Sequence, residues 1–208
     1  MTIDTRGTEL TFVRNVHTPR GPGEIGFEYT PPSEQGAQEE IVAAGYLREH
    51  MGDRAVTFFY SPFASRSRTT SIGIMKELDE IAVSPPVAHA LFVPHSVQAE
   101  IDASTKIGEV ADAEIQAVEN LKYYLEAFQG QMTNTFPVVV MSGLAILQYF
   151  TGGERYSRGL VNRVVPTGAV IHEGRDRFRG FVPHGHNAEA LAKYLEETRL
   201  RKSYANRR

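Results

Sequence analysis

Apolar positions along this chain switch repeatedly between continuous short runs and helical spacing. ELTFVRNV (9–16) sets Leu10, Phe12, Val13 and Val16 around the β-branched Thr11 and reads as a buried strand. The following HTPRGPGEIGFEYTPP (17–32) is rich in Gly and Pro and reads as a loop that hugs whatever the strand points at. Ser33 is placed to cap a helix over SEQGAQEEIVAAGYLREHM, in which Ile41, Ala44, Tyr46 and Leu47 supply an apolar side. AVTFFYS (55–61) is a second strand, and SRSRTTSIGIMKELDEI (65–81) a helix with Ile72, Met75 and Leu78 on one face.

Pro85, Pro86 and Pro94 break any regular pattern over 82–110, which reads as an inserted excursion with a short strand around Ala90–Val93. In 111–129, Ile115, Val118, Leu121, Leu125 and Phe128 recur at helical spacing. TFPVVVMS (135–142) is a third strand with the helix GLAILQYFTG behind it. AVIHEG (169–174) and RFRGFVPH (177–184) read as a hairpin around Arg175–Asp176, and HNAEALAKYLEETRLRK as the last helix. Strands alternating with helices in this rhythm predict an α/β protein, a three-layer α/β/α arrangement with a mainly parallel sheet. We expect one domain over 1–208 with the variable insert at about 82–110. In such folds the site lies beyond the carboxyl ends of the strands. Three segments should therefore meet there: VRNVHT, YSPFASRSR and VMSGLA.

Composition narrows the chemistry. The chain has no cysteine, so disulfides, thiolate zinc sites and a cysteine nucleophile are excluded. A net charge of −3 argues against a nucleic-acid-binding surface as the main business. The tail RLRKSYANRR holds five cations and reads as a solvated end. No run approaches a transmembrane length, and MTIDTRGTEL has no apolar signal core, so no membrane partner and a cytoplasmic protein are expected.

The three convergent segments, in their order, resemble the histidine phosphatase superfamily, the group that includes cofactor-dependent phosphoglycerate mutases. Members begin with a strand running into Arg-His-Gly-(Glu/Gln)-(Thr/Ser), and the same register here is Arg14-Asn15-Val16-His17-Thr18. The family's Leu-Thr-x-x-Gly helix start is similar to Pro32-Ser33-Glu34-Gln35-Gly36, and its Ser-Pro-Leu-x-Arg-Ala-x-x-Thr segment to SPFASRSRT (61–69). Its later strand ending in Ser-His-Gly corresponds to Met141-Ser142-Gly143, and VPHGHNAE loosely echoes its late Asn-(Asp)-x-x-His segment. The resemblance implies a phosphoglycerate mutase-like fold over most of the chain.

It also implies a missing reaction. Asn15 takes the place of the phosphoryl-accepting histidine, and Ser142 that of the histidine that steadies the transferring group. Ser65 takes the place of the family's arginine, with Arg66 one residue late. A nitrogen nucleophile must offer a lone pair and later depart as a weak base, as imidazole does near neutral pH. An amide nitrogen has its lone pair tied into the carbonyl. Serine at 142 supplies a hydrogen bond but no cation for developing charge. His17 is the nearest substitute, on the same strand face as Asn15 but about 6.6 Å further out. Glu100, in VQAEIDAS, lies where many members place an acidic proton donor.

The anion-binding half remains. Arg14 has a fork suited to phosphate or carboxylate, or else satisfies strand-end carbonyls. Thr18 offers a hydroxyl, Ser142 and Gly143 open a helix whose free N–H groups favour an anion, and Arg66 or Arg68 faces the same pocket or solvent. Ser142 is also a good N-cap whatever else it does. His184-Gly185-His186 has metal-compatible spacing without companion carboxylates and reads as loop, so no metal and no cofactor are expected. GPGEIG (21–26) precedes neither GK[ST] nor a helix, so a phosphate loop is not supported.

The expected function is a histidine-phosphatase-like protein put to another use. It binds a small anionic metabolite through Arg14, Asn15, Thr18, Arg66, Ser142 and Gly143. With His17 and Glu100 for proton transfer, it catalyses a non-phosphohistidine reaction such as an elimination, isomerisation or cyclisation. Two alternatives stay open: a non-catalytic binding or regulatory pseudophosphatase, and a working phosphatase or mutase with His17 as nucleophile. A homo-oligomer is compatible with all three.

Overall fold

A computed structural model describes residues 10–19, 31–60, 65–78, 115–116, 135–152, 156–173 and 183–205. In chain order the elements are strand β1 (Leu10–Arg14), helix α1 (Glu34–Met51), β2 (Ala55–Tyr60), α2 (Ser65–Glu77), β3 (Thr135–Met141), α3 (Gly143–Thr151), α4 (Arg158–Val164), β4 (Val170–Glu173) and α5 (Glu189–Ala205). The expected insert, most of the 111–129 helix, the Gly-rich loop beyond Pro19 and the 174–182 turn lie outside the described residues.

The four strands form one sheet in the order β2-β3-β1-β4. β1 and β2 both run parallel to β3, and β4 runs antiparallel to β1, so the sheet is mixed and mainly parallel. Side chains alternate across the two faces because successive Cβ atoms in a strand point opposite ways. Leu10, Phe12, Val139 and Met141 pack with Ile146 and Leu147 of α3, Val161 of α4 and Leu191 of α5. Val13, Phe58, Val138 and Val140 pack on the other face with Ala43, Ala44 and Leu47 of α1 and Ile74 of α2. β1 thus runs between two helical layers, and its last residues are handed to one layer or the other in turn.

Caps fix where the helices begin. Ser33 accepts from the Gly36 N–H at 3.1 Å, Ser142 from Ala145 at 3.2 Å and Ser157 from Leu160 at 3.4 Å, each quieting a donor that the first turn leaves unpaired. The third of these opens α4, a helix that the apolar pattern did not predict. β1 ends at Arg14, earlier than the predicted Val16. The Val16 N–H leaves the ladder for the Thr70 hydroxyl at 3.1 Å. Of the expected closing hairpin, β4 is present, and His184 forms a lone antiparallel bridge to His172.

The phase of α1 differs from the predicted one. Its buried residues are Gly36, Glu40, Ala43, Ala44 and Leu47, while Ile41 is 47% exposed. Gly36 sets this phase: a Cβ there would sit 2.1 Å from the His17 carbonyl oxygen, so the helix presses its glycine against the chain that follows β1. The same rotation buries Glu40 against Gly73 of α2, where one carboxylate oxygen has no hydrogen-bond partner among the described residues. Burial, with help from Glu77 and Glu39 and against Lys76, raises its pKa to about 7.

That shift sets a pH dependence. The unfolded carboxyl ionises near its ordinary 4.5, whereas the folded one holds its proton to about 7. Ionisation therefore removes stability as pH climbs from about 4.5 to 7, and the full cost is present above that window. Glu40→Gln should stabilise the fold by about 1 kcal/mol at pH 8, after allowance for solvent screening, and change little at pH 4. Urea denaturation at the two pH values checks this.

Candidate functional site

Alternation along β1 decides what the strand tip offers. Arg14 follows the parity of Leu10 and Phe12 and turns towards α3 and α4. Its guanidinium donates to Asn162 Oδ1 at 2.6 Å and, through the other terminal nitrogen, to the Val165 carbonyl. Its backbone N–H donates to the Ala169 carbonyl at 2.9 Å. The aliphatic stem and Nε cross the first turn of α3 at Gly143, where a Cβ would come within 2.6 Å of Nε and 2.9 Å of Cζ. Gly143 is therefore the residue type that lets this arginine lie over the helix N-terminus.

Burial pulls the Arg14 guanidinium down to about 10. Glu39 opposes that shift, while Arg66 and Arg158 add to it, and the group stays protonated at neutral pH. Two further cations and one carboxylate thus act on Arg14, next to a helix end that already presents positive partial charge. Arg66 is half-buried and Arg68 exposed on the same first turns of α2.

Asn15 has the opposite parity and turns towards α2. Its Oδ1 accepts from the Ser67 hydroxyl at 2.9 Å, and its backbone N–H reaches the Met141 carbonyl at 3.1 Å. The latter contact sets Asn15 beside Ser142, whose side chain caps α3. His17 is exposed. Its Nδ1 shares a hydrogen bond of 2.7 Å with the Ser33 hydroxyl, and its backbone N–H donates to Glu39 Oε2 at 2.8 Å. Thr18 is buried, and its hydroxyl has no partner among the described residues.

Glu39 ties the rim together. Its Oε1 accepts from Gln35 at 2.8 Å and from the Thr167 hydroxyl at 2.7 Å, while Oε2 holds His17. With Thr167, Gly168, His186 and Asn187 it also lines a groove of about 280 Å³. Among the described residues no group of three or more His, Cys, Asp or Glu is arranged to hold a metal, and no helix is long and apolar enough to cross a membrane. Glu100 lies outside the described residues.

Arg14, Asn15, Arg66, Ser142 and Gly143 are brought to one rim, and His17 stands at its edge. Sequence reasoning missed Asn162, Ser67, Glu39 and Arg158. Asn162 and Arg158 sit on the helix that the apolar pattern did not reveal, and Ser67 and Glu39 look like ordinary polar helix positions. The only available sign was the Ser-x-x-Leu start at Ser157.

Because the Arg14 stem lies against Gly143, Gly143→Ala should cost about 1–3 kcal/mol of stability by overpacking. In an Arg14→Ala background the same substitution should cost well under 1 kcal/mol, a coupling that a double-mutant cycle by chemical denaturation measures.

No protein-family model matches the chain, and no curated protein matches it. Solved structures do. The alpha-ribazole phosphatase from Shigella flexneri aligns over 86% of this chain and 96% of its own, with 14% identity and a TM-score of 0.51. A mycobacterial glucosyl-3-phosphoglycerate phosphatase aligns over 86% and 98%, with 13% identity and a TM-score of 0.50. A protein described as mycobacterial hydrolase 2 aligns over 93% and 98%, with 14% identity and a TM-score of 0.50. At these identities the likeness is one of fold. The chain shares with these structures the α/β fold of the histidine phosphatases, a mixed and mainly parallel sheet between helices.

Proposed function

We propose that the chain binds a small molecule carrying an oxyanion, phosphate or carboxylate, at the carboxyl rim of β1 and β3, and does so without phosphohistidine chemistry. The observation that supports this most is the Arg14 guanidinium lying across the N-terminal turn of α3, with Arg66 and Arg158 adding positive charge and Glu39, among the described residues, alone opposing it. Cations gathered at the positive end of a helix dipole repel one another, and an arriving anion relieves that repulsion. The hydrogen bonds to Asn162 and Val165 hold the fork in place beforehand, so little side-chain entropy remains to be lost on binding.

The chemistry at the rim is that of a binder or of a mild acid–base catalyst. Under the resemblance, Asn15 and Ser142 stand where imidazoles would accept and steady a phosphoryl group. The amide nitrogen has its lone pair tied into the carbonyl, and the Ser142 oxygen caps α3. A proton-transferring reaction such as elimination, isomerisation or cyclisation has one supporting observation: the His17 imidazole is exposed at the rim, with Nδ1 engaged by Ser33. The site residues read as Arg14, Asn15, Arg66, Ser142 and Gly143 for the anion, with Thr18 beside them and His17 for the proton. Glu100 stays a candidate on the resemblance alone. The single-domain reading, with an insert over about 82–110, accompanies this proposal.

Calorimetric titration with sulfate and with glycerol phosphate tests it. Wild type should bind both, and Arg14→Lys, which keeps the charge and loses the fork, should bind each at least about tenfold more weakly. No binding, or equal binding by the variant, would overturn the anion site. A parallel assay with an aryl phosphate should give no turnover above background. Robust turnover abolished by His17→Ala would instead establish that histidine as a nucleophile.

A further inference from the structure

We propose that Ser67 is a positioning residue for Asn15, and that it makes the rim select a fully ionised oxyanion over a singly protonated one. This rests on the anion-site reading above.

A side-chain amide has an acceptor end and a donor end on opposite branches. Ser67 is fully buried in the first turns of α2, and its hydroxyl donates to Asn15 Oδ1 at 2.9 Å. Its own carbonyl accepts from the buried Ser71 hydroxyl at 2.8 Å, which ties that turn of the helix together. The acceptor end of Asn15 is thus engaged on the α2 side, and its NH2 group is directed away from Ser67. The guanidinium of Arg14, which only donates, reaches the end of β1 from the α3 side, with the charge of Arg66 acting on it. Glu39 is the one carboxylate among the described residues that acts on Arg14, and its oxygens already accept from His17, Gln35 and Thr167. An oxyanion retaining a proton would bring a further donor to the Asn15 NH2 and the Arg14 guanidinium, neither of which can accept its O–H. A phosphate-monoester dianion, or a sulfate, meets no such mismatch.

The test is a set of titrations between pH 5 and pH 8, with glycerol phosphate and sulfate side by side. The second ionisation of a phosphate monoester falls near about 6, so its affinity should rise about tenfold across this range. Sulfate is fully ionised throughout and reports any change in His17, Glu39, Arg14, Arg66 or Arg158. The ratio of the two affinities isolates the ligand's own proton. In Ser67→Ala the amide is freed to turn its carbonyl outward, and the pH dependence of that ratio should flatten at least about threefold with the thermal midpoint little changed. Asn15→Asp, which places an acceptor at the same point without touching α2, should flatten or invert it. A wild-type ratio that does not change with pH, while both ligands bind, overturns the ionisation selectivity. An unaltered profile in folded Ser67→Ala overturns the positioning role. Failure of wild type to bind either ligand overturns the anion site itself, and this proposal with it.

Discussion

The rim of this protein depends on one arginine laid over one glycine. Arg14 ends β1, crosses the opening turn of α3 at Gly143, and is pinned beyond it by Asn162 and the Val165 carbonyl. Strand, helix and the segment after α4 are joined through a single side chain. The arrangement is electrostatically awkward, since it sets a cation over the positive end of a helix and near Arg66 and Arg158. A fold that needed Arg14 only for stability would be better served by an uncharged donor there. The placement makes sense if the excess positive potential meets a negative guest.

The two helical layers contribute different halves of the site because β1 alternates. Arg14 goes to the α3–α4 layer and Asn15 to the α2 layer, so neighbouring residues on one strand recruit partners from opposite sides of the sheet. Past the strand, the chain is caught by α1: Gly36 abuts the His17 carbonyl, Ser33 meets its ring, and Glu39 takes its N–H. This leaves His17 an exposed imidazole at the margin of the cationic cluster. Such a position suits proton transfer to or from a bound acid better than attack on a phosphorus held beside Arg14.

Much of the fold was legible in the sequence. β1, β2 and β3 are short apolar runs, and α1 and α3 announce themselves through Ser33 and Ser142. The convergence of VRNVHT and VMSGLA follows from parallel strands alone, and the register that pairs Arg14 with Met141 realises it. What the pattern hid is as informative. α4 spans seven residues and buries only Val161 and Val164, too few apolar positions to show a period, so the partner of Arg14 on that helix was invisible. On α1, Ala44 and Leu47 are buried as predicted, but a buried Glu40 and an exposed Ile41 invert the usual preference and shift the face. A close backbone approach at Gly36 outweighed the hydrophobic gain from Ile41. Ser67 could not be told from any other helical serine, since its role depends on a contact 52 residues away in the chain.

The account comes down to whether a tetrahedral anion settles where the cations of the rim converge. Crystals soaked in tungstate and measured at the tungsten absorption edge answer this directly. The account predicts an anomalous peak within hydrogen-bonding distance of the Arg14 guanidinium and the Asn15 amide, beside the first turn of α3. Tungstate bound elsewhere, with that position empty at high occupancy of the other site, would contradict it.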